Sequence, residues 1–226
     1  MTIELLGYPV SNYVNVVRAA LIEKRLPYTL SLRGGGREDE FLDVSPMGKI
    51  PVLVVDGWSV TETVAILEWL EDRFPEIPLR PFDLEERARA RQIVNLVQLY
   101  VEAPARALFP GVFMGDVDAP APRNEVRAML DRSTAALARL VSPDPYLVGG
   151  QLSGADLFTF YNLDITDRLS RFLWQRSIIE EAGLAGWSAT MQERASTKTV
   201  LRDFEDFFAT YLTNKGAAYR PPSTTG

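Results

Sequence analysis

Hydrophobic positions along the chain change period near residue 80. Before it, short apolar runs alternate with helical stretches. Ile3 to Leu6 reads as a strand and "GYPVSN" as the turn after it. Tyr13 to Lys24 follows a helical period, with Val14, Val17, Leu21 and Lys24 on one row, Ser11 or Asn12 as N-cap, and Pro27 closing it. Tyr28 to Leu32, Val52 to Val55 and Trp58 to Val60 read as strands, with "RGGGRED" a loop between the first two. Thr63 to Phe74 returns to the helical period, with Ile66, Leu70 and Phe74 in register and Pro75 beyond. The order β, α, β, loop, β, β, α predicts a small α/β unit ending near Leu79.

Beyond the proline-rich "PEIPLRPFD", strand signals fade. Leu84 to Leu108 is one long helical pattern interrupted by Pro104, which should kink or end it. Glu125 to Leu140 predicts another helix after the loop "GDVDAPAPRN". A third begins at Ser153, the N-cap, with Asp156 three residues on as its reciprocal partner and Leu152 stapling to Leu157. Further helices are expected over Trp174 to Ala182, Leu184 to Arg194 and Thr199 to Leu212, before a frayed, proline-containing tail. The predicted domains are residues 1–79, a linker at 80–86, an all-helical unit at 87–214 and a flexible tail at 215–226.

Composition narrows the chemistry. With 46% hydrophobic and 24% charged residues, the 226-residue chain has the balance of a soluble globular protein. No apolar run approaches a membrane span and the N-terminus lacks a signal peptide's features, so a cytoplasmic protein is expected. The net charge of −6, with no basic block, argues against a nucleic-acid partner. The absence of cysteine and histidine excludes disulfides, thiolate metal sites, cysteine nucleophiles and imidazole bases, and no metal is expected. Chemistry must rest on hydroxyls, carboxylates, lysines, arginines, backbone amides or a ligand's own groups.

Three places stand out. Pro51 begins a buried strand just after Ile50. In the cis form it would leave the Ile50 N–H and C=O free to pair with an extended peptide; in the trans form, which base rates favour, it only starts the strand. Glu62 and Thr63 stand where a strand turns into a helix. There they are either a plain cap or a clamp for an amino-acid head group, the helix end taking its carboxylate and Glu62 its ammonium. Ser11 is either an N-cap or a hydroxyl that donates to a thiolate beside the positive end of a helix, with Tyr8 and Tyr13 as rival donors. The glycines of "RGGGRED" have no G-K-[ST] after them and read as a rim loop, with Arg33 or Arg37 able to meet a carboxylate.

These features fit together as a site for a small thiol peptide. The stretches "GYPVSNYVNVVRAALIEKRLPY", "SPMGKIPVLVVDG", "VTETVAILEWLEDRFP" and "YLVGGQLSGADLFTFYNL" resemble, in order, those of the cytosolic glutathione transferases, of the serine-type, bacterial-like kind. The likeness runs to about Leu212. It implies a thioredoxin-like α/β N-terminal domain, an all-α C-terminal domain and a homodimer. It implies a cis Pro51, Ile50 pairing with glutathione's cysteinyl backbone, Glu62 and Thr63 on the γ-glutamyl end and Lys49 near the glycyl carboxylate. Ser11 falls at the thiolate-stabilising position, and Asp156 at the helix-capping acid, a folding residue. Threonine replaces the family's serine at residue 63, Asn12 a common proline and Arg25 a glycine. Gly7 occupies the position of the tyrosine-type donor, with Tyr8 one place later.

The activity implied is attack of the glutathione thiolate on a hydrophobic electrophile, with glutathione as co-substrate. Tyr8, Tyr13, Tyr100, Phe109, Phe113 and Phe172 are the candidates for the electrophile pocket. The rivals are a binding or scaffold protein with little turnover, and a glutathione-dependent isomerase or ether-cleaving enzyme on the same fold.

Overall fold

The computed structural model describes residues 1–221. Four strands, β1 (Ile3–Gly7), β2 (Thr29–Leu32), β3 (Val52–Val55) and β4 (Trp58–Thr61), form one sheet in the order β2-β1-β3-β4. β2 runs parallel to β1; β3 is antiparallel to both β1 and β4. The parallel pair needs a crossover, and α1 (Asn12–Glu23) supplies it. Ile3, Leu5 and Gly7 are buried and their neighbours only partly so, the period-2 signature of a strand with one face inward. α3 (Thr63–Arg73) packs beside α1.

Lys24 sits on the apolar row of α1, and the fold neutralises it there. Its Nζ lies 2.5 Å from Glu71 Oε1 and donates to the carbonyls of Phe74 and Ile77, each at 2.9 Å. Glu71 in turn accepts from the Leu79 N–H at 2.8 Å. A buried pair of this kind gives little net stability but is costly to break on one side. Here it ties α1 to α3 and to the chain leaving the sheet unit.

The remaining helices include α4 (Leu84–Leu96), α5 (Ala103–Arg106), α6 (Phe109–Phe113), α7 (Arg123–Leu140), α8 (Gly154–Trp174), α9 (Ile178–Glu181), α10 (Ala185–Glu193) and α11 (Ala195–Lys215). α8 is central: Phe158, Phe160 and Leu157 are at most 1% exposed, and α1 and α4 pack on it. Its start is held by Asp156, whose carboxylate accepts from the Ser153 N–H (2.9 Å), the Ser153 hydroxyl (2.8 Å), the Leu147 N–H (2.8 Å) and Trp187 Nε1 (2.9 Å). Burial raises the Asp156 pKa and outweighs those four donors.

Several sequence expectations are corrected. α4 neither ends nor simply kinks at Pro104. It widens one turn earlier, over Val97–Glu102, into a π-helical turn in which the Ala103 N–H reaches back to Gln98 O. A proline ring clashes with the carbonyl four residues before it, here that of Tyr100, inside the widened turn. α8 runs through Trp174, and the left-handed Gln175 ends it, so of Trp174 to Ala182 only Ile178–Glu181 forms a new helix. A short α2 (Asp39–Leu42) follows the glycine loop. α11 starts at Ala195 rather than Thr199. The tail from residue 215 is not loose where it is described: Ala217 and Tyr219 are buried and the Tyr219 N–H donates to Val112 O at 3.1 Å. The remainder of that tail, residues 222–226, lies outside the described residues.

Candidate functional site

The Ile50–Pro51 bond is cis. Among the described residues, neither the Ile50 N–H nor its C=O has a partner. The turn before it is built for this. Ser45, 1% exposed, grips Lys49 from both sides, its hydroxyl donating to Lys49 O (2.7 Å) and accepting from Lys49 N–H (3.0 Å). Gly48 has φ +62°, and a Cβ there would stand 2.1 Å from Gly36 O, so the glycine loop rests directly on the backbone beside Lys49. The loop is thus a structural rim. Within it, the Arg33 guanidinium lies 4.2 Å from the centre of the Phe41 ring.

Ile50, Pro51, Lys49, Glu62 and Thr63 line one cleft of about 280 Å³, closed on the far side by Gln98, Leu99, Glu102, Ala103 and Arg106. Glu62 has φ +65°. For a residue with a Cβ that conformation costs about 1–3 kcal/mol and marks positions where the surroundings impose it. Among the described residues its carboxylate has no hydrogen-bond or ion-pair partner. Thr63 opens α3 and is buried. Among the described residues the cleft thus presents an unpaired carboxylate, a helix N-terminus, the unpaired backbone of Ile50 just ahead of β3 and an unpaired Lys49 ammonium, the complement of a short peptide with charges at both ends.

Ser11 caps α1, its Oγ accepting from the Val14 N–H at 3.4 Å. It does not line the cleft. It stands in the chain between Tyr13, which does, and Val10, which lines a separate groove of about 600 Å³ with Tyr8, Phe207 and Tyr211. The Ser11 O–H proton has no acceptor among the described residues and remains free to be donated. The Tyr13 proton is not: its hydroxyl donates to Glu102 Oε2 at 2.7 Å, and burial first, then the Glu102 carboxylate, push the Tyr13 pKa far up.

The expected electrophile pocket is corrected, because its six aromatic residues are not brought together. Tyr8 lies in the groove and Tyr13 in the cleft. Tyr100 is 49% exposed on the π-helical turn and lines neither. Phe109 and Phe113 are core residues in edge contact with each other, centroids 5.1 Å apart. Phe172 packs on Tyr219 beside a different cavity. Apolar character alone could not separate a pocket wall from the core. Phe207 and Tyr211 were missed because α11 meets the first strand–helix turn only in three dimensions. Glu102 and Arg106 were missed because a single glutamate and arginine in a charged helix carry no motif.

A family model described as "Glutathione S-transferase, N-terminal domain" matches residues 5–78. A glutathione S-transferase of Pseudomonas putida is 36% identical over 169 residues, covering 75% of this chain and 77% of that protein. The chain belongs to the glutathione S-transferase family. Another relative, named "Probable maleylacetoacetate isomerase 2", from Drosophila melanogaster, is 30% identical over 148 residues, 62% of this chain and 63% of that one. Among solved structures, a glutathione S-transferase of Methylobacterium radiotolerans in complex with glutathione sulfonate is 26% identical with a TM-score of 0.71, covering 88% of this chain and 94% of that one. The sheet unit of this glutathione transferase is the thioredoxin-like domain, and its helices from α4 onward are the family's helical region.

Proposed function

We propose that the cleft binds glutathione and that the protein transfers the glutathione sulfur to an electrophilic carbon. The observation that carries the site assignment is the unpaired Ile50 edge, in one cleft with Glu62, Thr63 and Lys49. Ile50 pairs with the cysteinyl backbone, Glu62 and Thr63 take the γ-glutamyl head, and Lys49 takes the glycyl carboxylate. This arrangement sends the sulfur toward the start of α1, where the Ser11 hydroxyl and the helix end stabilise the thiolate. The groove of Tyr8, Val10, Phe207 and Tyr211 receives those apolar groups of an electrophile that extend away from the cleft. Residues 1–79 form the glutathione-binding unit, and the helices that follow, of which α4 already begins at Leu84 inside the expected 80–86 linker, supply the second wall. The working form is a cytoplasmic homodimer, a proposal carried over from the family and tested by sedimentation.

Titration calorimetry with glutathione, followed by turnover of an electrophile panel, tests this reading. Binding with conjugation supports it; no binding at millimolar glutathione overturns it. A second reading is favoured by the maleylacetoacetate isomerase relative. Glutathione then adds across a carbon–carbon double bond of an unsaturated acid, the resulting single bond rotates, and elimination restores the double bond and releases glutathione unchanged. It shares every glutathione contact and is separated by product analysis.

A further inference from the structure

The far wall of the cleft holds a cluster to which the glutathione reading gives no task. Glu102 is 1% exposed and its carboxylate is fully engaged. It accepts from Tyr13 OH, from Asn12 Nδ2 at 3.3 Å and from Arg106 Nε at 2.6 Å. Asn12, itself bound to Asn162 Oδ1 on α8 at 2.7 Å, returns its own oxygen to Arg106 Nη2 at 2.9 Å. The Arg106 guanidinium is also set against two rings, 5.2 Å from the centroids of both Tyr13 and Phe109. Two of its three nitrogens are therefore fixed. The third, Nη1, has no partner among the described residues, and the side chain is 44% exposed on the cleft.

A guanidinium held on one edge and open on the other is a preorganised anion donor, because little side-chain freedom is lost when an oxygen arrives. Its charge is balanced by buried Glu102, so it is stable when the cleft is empty. It is bonded to Asn12, the residue after Ser11, so an anion on Nη1 lies near the start of α1, where the sulfur is assigned. Lys49 and the α3 N-terminus, on the sheet side, already serve the two carboxylates of glutathione.

We propose that Arg106 selects second substrates that carry a carboxylate. The proposal rests on the glutathione reading above and specifies the substrate class of that same site. A suitable probe pair is 4-chloro-3-nitrobenzoate and its methyl ester. In either, the thiolate forms a C–S bond at the ring carbon, the C–Cl bond breaks and chloride leaves; the ester also activates the ring more strongly than the carboxylate does, a difference that cancels when the ratio is compared between wild type and variant.

The experiment has three arms on the full chain. Calorimetry with glutathione alone tests the parent reading. Calorimetry with the glutathione conjugates of the acid and of the ester tests Arg106 without needing turnover. The acid-to-ester ratio of kcat/KM then tests it in the reaction. Wild type is expected to bind the acid conjugate more tightly than the ester conjugate. Arg106→Gln is expected to lower both ratios by about 10- to 100-fold, the scale of one charge-assisted hydrogen bond. Ratios in Arg106→Gln equal to wild type overturn the proposal. So does a wild type that binds the ester conjugate as tightly as the acid, a result that needs no variant to fold. An equal loss for glutathione alone would make Arg106 part of the glutathione site and also overturn it. If glutathione binds and the acid preference is absent, this inference fails while the parent reading stands.

Discussion

Ser11→Ala separates the two roles that a serine at the start of α1 can have. As a cap, Ser11 satisfies one backbone donor, and its 3.4 Å bond to Val14 is long for a hydrogen bond. The stability loss should fall in the lower half of the range for capping residues, about 0.5–1 kcal/mol. As a donor to the glutathione thiolate it contributes about 1.5–3 kcal/mol, the scale of a hydrogen bond to a charged group. At 1.36 kcal/mol per unit, that is about one to two pKa units. A free thiol titrates at about 8.5, so bound glutathione should titrate at about 6.5–7.5 or below in wild type, and the mutant should titrate about one to two units higher, toward the free value, with the helix end supplying what remains of the shift. Turnover at neutral pH should fall by up to about 10²-fold.

The assay is the ultraviolet absorbance of the thiolate across a pH titration of the complex. The protein has no cysteine, so the signal belongs to the ligand, and no histidine titrates in the same window. Tyr13 stays silent, since burial and Glu102 hold its proton well above the usual phenol range. Tyr13→Phe should leave the thiol pKa unchanged, because that proton is already donated to Glu102. Tyr8→Phe checks the remaining rival. A Ser11→Ala protein that loses stability but titrates like wild type would refute the reasoning and leave Ser11 a cap.

Glu62→Gln and Thr63→Val should each weaken glutathione binding by about 1.5–3 kcal/mol, measured by calorimetry, with the fold intact; unchanged affinity would reduce the pair to a helix start. Asp156→Ala should destabilise by about 3–5 kcal/mol in urea unfolding while the bound-thiol pKa is unaffected, because it strands buried donors from Ser153, Leu147 and Trp187. Glu23 accepts from Arg194 Nε (2.8 Å) and Nη2 (2.6 Å) and from Ser196. Burial raises its pKa, but these hydrogen bonds outweigh burial and the net shift is downward. Its folded pKa thus lies below the unfolded value of about 4.3, so its stabilisation is present above that value and is lost as pH falls through the folded pKa. The stability gap between wild type and Glu23→Gln should be full at about pH 7 and shrink below about pH 4; a gap independent of pH would contradict this.

The sheet unit was legible because its signals are local. Pro27 and Pro75 punctuate it, apolar runs mark its strands, and Ser11 and Thr63 begin its helices. That Lys49, Ile50, Pro51, Glu62 and Thr63 line one cleft was legible for the same reason, since they lie within fifteen residues of one another. The second wall was not. Its members come from α1, the π-helical turn and α5, and only tertiary packing sets Arg106 beside Asn12. One signal was present and unread. Ile93, Val97, Val101 and Ala105 recur every fourth residue and are all buried. In a regular helix, steps of four drift by about 40° each and would leave one face by the third step. A widened turn absorbs that drift.

The π-helical turn also changes what the segment tolerates. It is equivalent to a regular helix with one residue inserted. Point substitutions at its outward positions, such as Leu99 or Tyr100, leave the backbone count unchanged. Deleting one of them would not break the helix, but would let it relax to the regular form. The flanks would keep their relative orientation, because the widened turn already rotates the chain by about one residue less than its length. An inserted residue has the opposite effect: with nothing further to absorb it, the face of α4 turned toward α8 and the face that carries Glu102 would turn by about 100° relative to one another. This stretch should therefore accept many changes of letter and the loss of one residue, but not the gain of one.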